Sequence, residues 1–178
     1  MPNWCYNQLE ASGPAEEVKR FMKKSKPFTP WNLHPIPKEL KDIRMDEQTG
    51  KRWRKLDGKD VPVSTSEEDR LLSVYGARSC NEWVNKNWGF DGRINLTKTN
   101  KTKGGVEYVF ETAWTPPLPL ILHFSRSFPS LSFRMSFFDP FGGYLGEICA
   151  LGGKETRFKW EELEVDDPGN PYNQIHSR

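Results

Sequence analysis

At 178 residues the chain fits one domain carrying an insertion better than two domains. Only 35% of the residues are hydrophobic and 28% are charged, which excludes a large aliphatic core, while 7 Trp and 11 Phe exclude disorder throughout. The net charge of +2 hides a basic front and an acidic end: residues 161–178 hold Glu161, Glu162, Glu164, Asp166 and Asp167 against Arg178.

From Trp4 to Ala11 the residues partly alternate, with Cys5, Leu9 and Ala11 on one side and Trp4, Tyr6 and Gln8 on the other, which predicts a half-buried strand. Ser12-Gly13-Pro14 opens an amphipathic helix to Ser25 that turns Val18, Phe21 and Met22 inward and Lys19, Arg20, Lys23 and Lys24 outward. Residues 27–65 hold Pro27, Pro30, Pro35, Pro37 and Pro62 with no sustained period. A short helical turn is expected around Lys38–Ile43, and Met45–Val63 reads as a long loop. Thr65-x-x-Glu68 predicts a capping box and a helix with Leu71, Leu72 and Tyr75 inward, ended by Gly76. A second short helix is expected over Cys80–Asn87, with Trp83 and Asn87 on one side. Strands follow at Arg93–Thr99 and Val106–Trp114. Pro116-Pro117 then starts a helix bearing Leu118, Ile121, Leu122 and Ser125, and further strands are read at Leu131–Phe138 and Tyr144–Leu151.

With residues 27–90 set aside, the order is β-α-β-β-α-β. This predicts an α+β, ferredoxin-like split βαβ fold, an antiparallel sheet with helices on one face. The domain is read as residues 1–160, with a large helical or loop insertion after the first helix at about 27–90 and a flexible acidic tail at 161–178. No apolar run approaches the roughly 18 residues of a membrane span, and the start lacks a signal-peptide pattern. Cys5, Cys80 and Cys149 are odd in number and far apart, as expected of reduced thiols in a cytoplasmic protein.

The chemistry-bearing residues are sparse. His34, His123 and His176 lie far apart, and there is no H-E-x-x-H, paired Cys or H-x-E, so neither a metal nor a cofactor is expected. Asp139 and Glu147 flank the Gly142-Gly143 turn and are the weak acid–base candidate; no catalytic residue is assigned, and the chain reads as non-enzymatic. Val106, Tyr108, Phe110, Thr112 and Trp114 share one strand face, near which Tyr6 could lie. They match the RNA-binding RNP1 pattern poorly, oppose Glu107 and Glu111, and are read as core. Lys51-Arg52-Trp53-Arg54-Lys55 places four cations around a tryptophan in a segment with no core period. That composition suits a partner-binding surface, for a host protein first and nucleic acid second. Tyr75, Arg78, Asn81 and Glu82 surround the tryptophan words and could line a pocket for a small nucleotide.

Three groups of residues carry a family resemblance. Pro2-Asn3-Trp4-Cys5-Tyr6-Asn7, then Tyr75-Gly76-Ala77-Arg78 leading to Trp83 and Asn87-Trp88-Gly89, then Thr112-Ala113-Trp114-Thr115-Pro116-Pro117 together resemble the YubB-type ferredoxin-like proteins of bacteriophages and conjugative plasmids. The family form continues after Asn-Trp-Gly with Thr-Lys-Trp, where this chain has Phe90-Asp91-Gly92. The resemblance implies a ferredoxin-like fold, a mobile-element origin and a cytoplasmic life inside a bacterium. It brings no catalytic residue. The function expected is that of an accessory protein that binds and blocks a host macromolecule, a defence component first among them. Direct nucleic-acid or nucleotide binding is the alternative. Trp4, Trp83, Trp88 and Trp114 are expected to form one structural cluster joining the insertion to the sheet.

Overall fold

A computed structural model describes residues 2–46 and 48–163, so the expected tail beyond Leu163 and His176 lie outside the described residues. The first strand, β1 (Trp4–Ser12), buries Cys5, Asn7, Leu9 and Ala11, as its alternation requires. Helix α1 (Ala15–Lys24) follows Pro14, with Glu16 and Glu17 in its first turn and Lys23 and Lys24 in its last, the charge order that suits the helix dipole. Its buried residues are Val18 and Phe21. A four-residue helix, α2 (Pro30–Leu33), and a single turn at Lys38–Leu40 lead into the insertion.

The insertion is where the structure departs from the expected loop. Met45–Val63 contributes to a separate three-stranded antiparallel sheet of β2 (Ile43–Met45), β3 (Arg52–Leu56) and β4 (Lys59–Pro62). These strands show no apolar period because β3, Arg-Trp-Arg-Lys-Leu, puts charged residues on both faces instead of alternating apolar with polar ones. Helices α3 (Thr65–Tyr75) and α4 (Cys80–Asn87) complete the insertion. The α3 cap is Ser64, whose hydroxyl accepts from Glu67 N–H, one residue ahead of the expected Thr65; Ser64 has the extended backbone of a cap, whereas Thr65 is already helical. Gly76, at φ 68, ends the helix in the left-handed region.

After the insertion come β5 (Ile94–Thr102), β6 (Gly105–Ala113), α5 (Leu118–Ser127), β7 (Ser132–Asp139), β8 (Tyr144–Leu151) and β9 (Lys154–Glu162). The main sheet has the order β5-β6-β1-β7-β8-β9, antiparallel throughout. Strand β6 lies between β1 and β5, and β1 lies between β6 and β7. The chain thus makes two split βαβ units, the ferredoxin-like arrangement predicted from the sequence, with β8 and β9 added at one edge. Strand β9 takes up Glu161 and Glu162, so the acidic end expected to fray from 161 begins inside the sheet. All of its positions are exposed, and its Phe158 and Trp160 stand among charged residues, so it left no core pattern to read.

One aromatic cluster holds the helices to the sheet. The Phe21 ring meets Phe128 and Phe133 edge-on, both at 5.2 Å, Phe124 at 5.6 Å and Tyr108 at 6.0 Å. Each such pair is worth about 0.5–1.5 kcal/mol beyond simple burial. Phe28 stacks on Tyr108 at 4.5 Å, and Ser25 and Tyr108 share a 2.6 Å hydrogen bond beneath the end of α1.

At the outer edge, Gly146 lies where a Cβ would strike both the Lys159 carbonyl and the Phe137 ring. Gly146→Ala should therefore force β9 away from β8 and cost about 1–3 kcal/mol, read as a lower urea midpoint with an unchanged slope.

Candidate functional site

The insertion sheet has two chemically different faces, and its register sorts the predicted partner-binding residues between them. Ile43, Arg54 and Val61 align across the three strands on one face, and Arg44, Trp53 and Pro62 align on the other. Arg52 belongs with the first face and Lys55 with the second.

Arg52 is only 14% exposed and reaches two carboxylates, Glu68 of α3 at 3.0 Å and Glu82 of α4. Arg54 pairs with Glu67 of α3 at 2.6 Å. Two of the four cations expected to guide a partner are therefore used within the insertion, clamping its sheet onto its helices. The other two, Lys51 and Lys55, are exposed. Trp53 is half-buried on the outward face. A cleft of about 700 Å³ runs past it, lined by Asp42, Arg44, Asp46, Trp53, Lys55 and Asp60 among others.

The four residues expected to line a pocket near the tryptophans do not converge. The Tyr75 hydroxyl donates to Glu39 at 2.7 Å, beside the Arg70–Glu39 pair. Glu82 accepts the Arg78 backbone N–H at 2.7 Å and the Arg52 guanidinium, and the Arg78 side chain lies 4.0 Å from Asp69. Asn81 is exposed. Burial pushes the Glu82 carboxyl up, but the hydrogen bonds from Arg52 and Arg78 N–H, with the charges of both arginines, outweigh it and leave it below the usual carboxylate value.

The expected tryptophan cluster forms with a different membership. Trp88 is fully buried, meeting Trp31 at 4.6 Å and Trp83 at 5.9 Å, and its indole N–H donates to the His34 carbonyl at 2.9 Å. Trp114 stands outside the cluster: its φ is +72, strained for a side chain of this size, and it is 49% exposed. Trp31, absent from the recognised words, takes a place in the cluster. His34 and His123 stack at 3.5 Å with their planes 8° apart, a contact invisible in a sequence that separates them so widely.

The main sheet does not present its strand-β6 aromatics. Val106, Tyr108, Phe110 and Thr112 are buried against the helices. Tyr6 lies on the opposite, open face, paired with Glu111 in register and stacked on Phe138 at 6.2 Å. On that face Glu107 accepts from Gln8 at 2.7 Å and Asn100 at 2.6 Å, and Glu111 accepts from Asn95 at 2.8 Å. Hydrogen bonds from Asn100 and Gln8 hold the Glu107 carboxyl below its ordinary value, so the face keeps negative charge where a phosphate backbone would lie. Asp139 and Glu147 lie on opposite faces of the sheet and cannot act together. Asp139 accepts from the Phe141 and Gly142 N–H groups in its turn, while Glu147 pairs with Arg134 at 2.6 Å and Arg157 at 3.6 Å. Among the described residues no group of three or more His, Cys, Asp or Glu is placed to hold a metal, and no helix is long and apolar enough to cross a membrane.

Arg52→Met should loosen the insertion while leaving the main sheet intact, because Glu68 of α3 and Glu82 of α4 both lose their ion pair with β3. Given the partial exposure, the cost is about 1–2 kcal/mol. Hydrogen exchange should rise across β2–β4 and the ends of α3 and α4, with β1, β6 and β7 unchanged. Because Glu82 is depressed in the folded protein, its contribution is present above the unfolded carboxylate value of 4.5 and fades as pH falls through the folded one. The variant should lose that acid-dependent part of the wild-type melting curve.

The comparisons agree with the architecture. Residues 93–173 match the family model described as a ferredoxin-like domain in Api92-like protein. The crystal structure of a protein Api92 from Yersinia pseudotuberculosis is similar at a TM-score of 0.52, with 12% identity, covering 94% of this chain and 100% of that one. At that identity the likeness speaks for the fold alone. No curated protein matches the chain in sequence. The segment from β5 through β9 is thus similar to the ferredoxin-like domain of Api92-like proteins.

Proposed function

We propose that the chain is a non-enzymatic binding protein that seizes a partner protein through the outward face of β2-β3-β4 and blocks it by occupying it. In line with the mobile-element family its tryptophan words resemble, the partner proposed is a component of a bacterial host's defence.

The observation that carries this reading is the division of the insertion sheet. Its inner face is spent on ion pairs, whereas its outer face sets Trp53 between Arg44 and Pro62, beside Lys55 and its register neighbour Asp60. Lining the adjoining cleft, Asp42, Asp46 and Asp60 outnumber Arg44 and Lys55. A polyanion gains little from such a surface, because the carboxylates cancel the attraction of the cations. A protein partner gains more: an amphipathic tryptophan to cover, and charges of both signs to fix orientation.

Affinity capture from nuclease-treated bacterial lysate, with wild type beside Trp53→Ala and Lys55→Glu, tests the reading. A stoichiometric host protein should be retained by the wild type. Trp53→Ala should weaken its binding about 30-fold, the effect of losing an anchor worth about 2 kcal/mol, at unchanged melting temperature. Retention of nucleic acid alone, or a partner indifferent to Trp53→Ala, would sink the proposal.

A further inference from the structure

Away from the Trp53 face, the insertion meets the main domain at a second cleft that the proposed blocking role does not use. It has a volume of about 240 Å³ and lies between α4 and α5, lined by His34, Lys86, Asn87, His123 and Arg126 together with Pro119 and Leu122. We infer that this cleft, whose lining joins the stacked His34 and His123 rings to Lys86 and Arg126, is a binding site for a tetrahedral oxyanion of the phosphate class.

Three observations converge on it. First, the volume holds an oxyanion and several waters, at about 30 Å³ per water. Second, the polar lining is made of donors and cations from three separate parts of the chain: His34 after α2, Lys86 and Asn87 on α4, and His123 and Arg126 on α5. Some of this capacity is already used. Lys86 donates to the Gly76 carbonyl at 3.2 Å, Asn87 donates to the Trp83 carbonyl at 2.9 Å, and His123 Nε2 shares a 3.2 Å hydrogen bond with Ser127. Third, His34 Nδ1 is buried with no hydrogen-bond partner among the described residues. An orphaned ring nitrogen is costly, and an anion beside a protonated Nδ1 would remove the deficit.

The local electrostatics agree. Burial first, then the His123 ring and the Arg126 charge, lower His34 from 6.5 to about 4. Burial, Arg126 and Lys24 likewise push His123 down. Among the described residues no carboxylate is one of the charges acting on either ring. Among the described residues nothing in the cleft's lining neutralises the charges of Lys86 and Arg126, and a bound anion would favour protonation of the two imidazoles. Binding and protonation are linked with a definite sign. The bound anion raises both histidines, so affinity increases as pH falls from the ordinary histidine value of 6.5 toward about 4.

Sulfate is the probe, since it stays a dianion over this range, whereas a phosphate monoester changes charge near about pH 6. Imidazole NMR resonances are followed as sulfate is added at about pH 5 and about pH 8, against sodium chloride at matched ionic strength. Saturable shifts of His34 and His123 are expected, with binding about 10-fold or more tighter at the lower pH. Arg126→Gln should weaken binding about 10-fold by removing a charged donor. His34→Phe keeps a flat ring over His123 and should lose most of the pH dependence while staying folded. Lys59→Gln, on β4 and not part of the cleft's lining, should change nothing. At one fixed pH, competition by inorganic phosphate and by adenosine monophosphate then separates a free ion from the end of an ester. Shifts reproduced by chloride, equal affinity at both pH values, or indifference to Arg126→Gln would each overturn the inference and leave the histidine pair a structural stack.

Discussion

Trp88 has the largest of the fully buried side chains, and its indole must lose all contact with water without stranding its N–H. It does so on the carbonyl of His34, while Trp31, Trp83 and Phe90 surround the ring. That single burial ties α2, α4 and the approach to β5 together. The fit is tight on the last side, because a Cβ at Gly92 would come within 2.8 Å of the indole. With the His34 backbone held this way, its ring lands on His123 of α5. The insertion is thereby docked on the helix side of the main domain by an aromatic contact that also creates the polar cleft beside it.

The second constraint is ionic and acts within the insertion. A three-stranded sheet of short, charged strands has little apolar area of its own, and such sheets need a partner to persist. Here the inward positions of β3 are arginines rather than valines or isoleucines, and the helices supply Glu67, Glu68 and Glu82 to meet them. Alternation then decides what is left outside. With Arg52 and Arg54 turned in, Trp53 and Lys55 must turn out, so the outward tryptophan is a consequence of the clamp that holds the strand.

Much of the architecture was legible because it rests on hydrophobic period. Cys5, Leu9 and Ala11 on β1, Val18 and Phe21 on α1, and Phe133, Met135 and Phe137 on β7 are buried as their spacing requires. The failures share one cause. In β3 charged residues stand on both faces, and in β9 Phe158 and Trp160 are set among charged residues on an exposed edge, so neither looks like core. The cation cluster around Trp53 was visible as composition, yet only strand register reveals that half of it is spent internally. The histidine stack was not legible at all, since it depends on how two distant segments dock.

The segment matched by the family model, residues 93–173, includes β5 to β9 and α5 but not β1. In this chain β6 and β7 each pair with β1 and not with each other, which sets them two strand spacings apart, about 9–10 Å. The matched half therefore closes only when the N-terminal strand slots into its centre. The insertion is threaded between those two halves, so its ends, after α1 and before β5, must be brought together for the sheet to form. A floppy insertion would charge the whole fold its loop entropy, whereas one already folded by the Arg52 clamp and the Trp88 cluster presents its ends in place. The rigidity on which both proposed recognition surfaces depend is thus the same rigidity that lets the central strand find its neighbours.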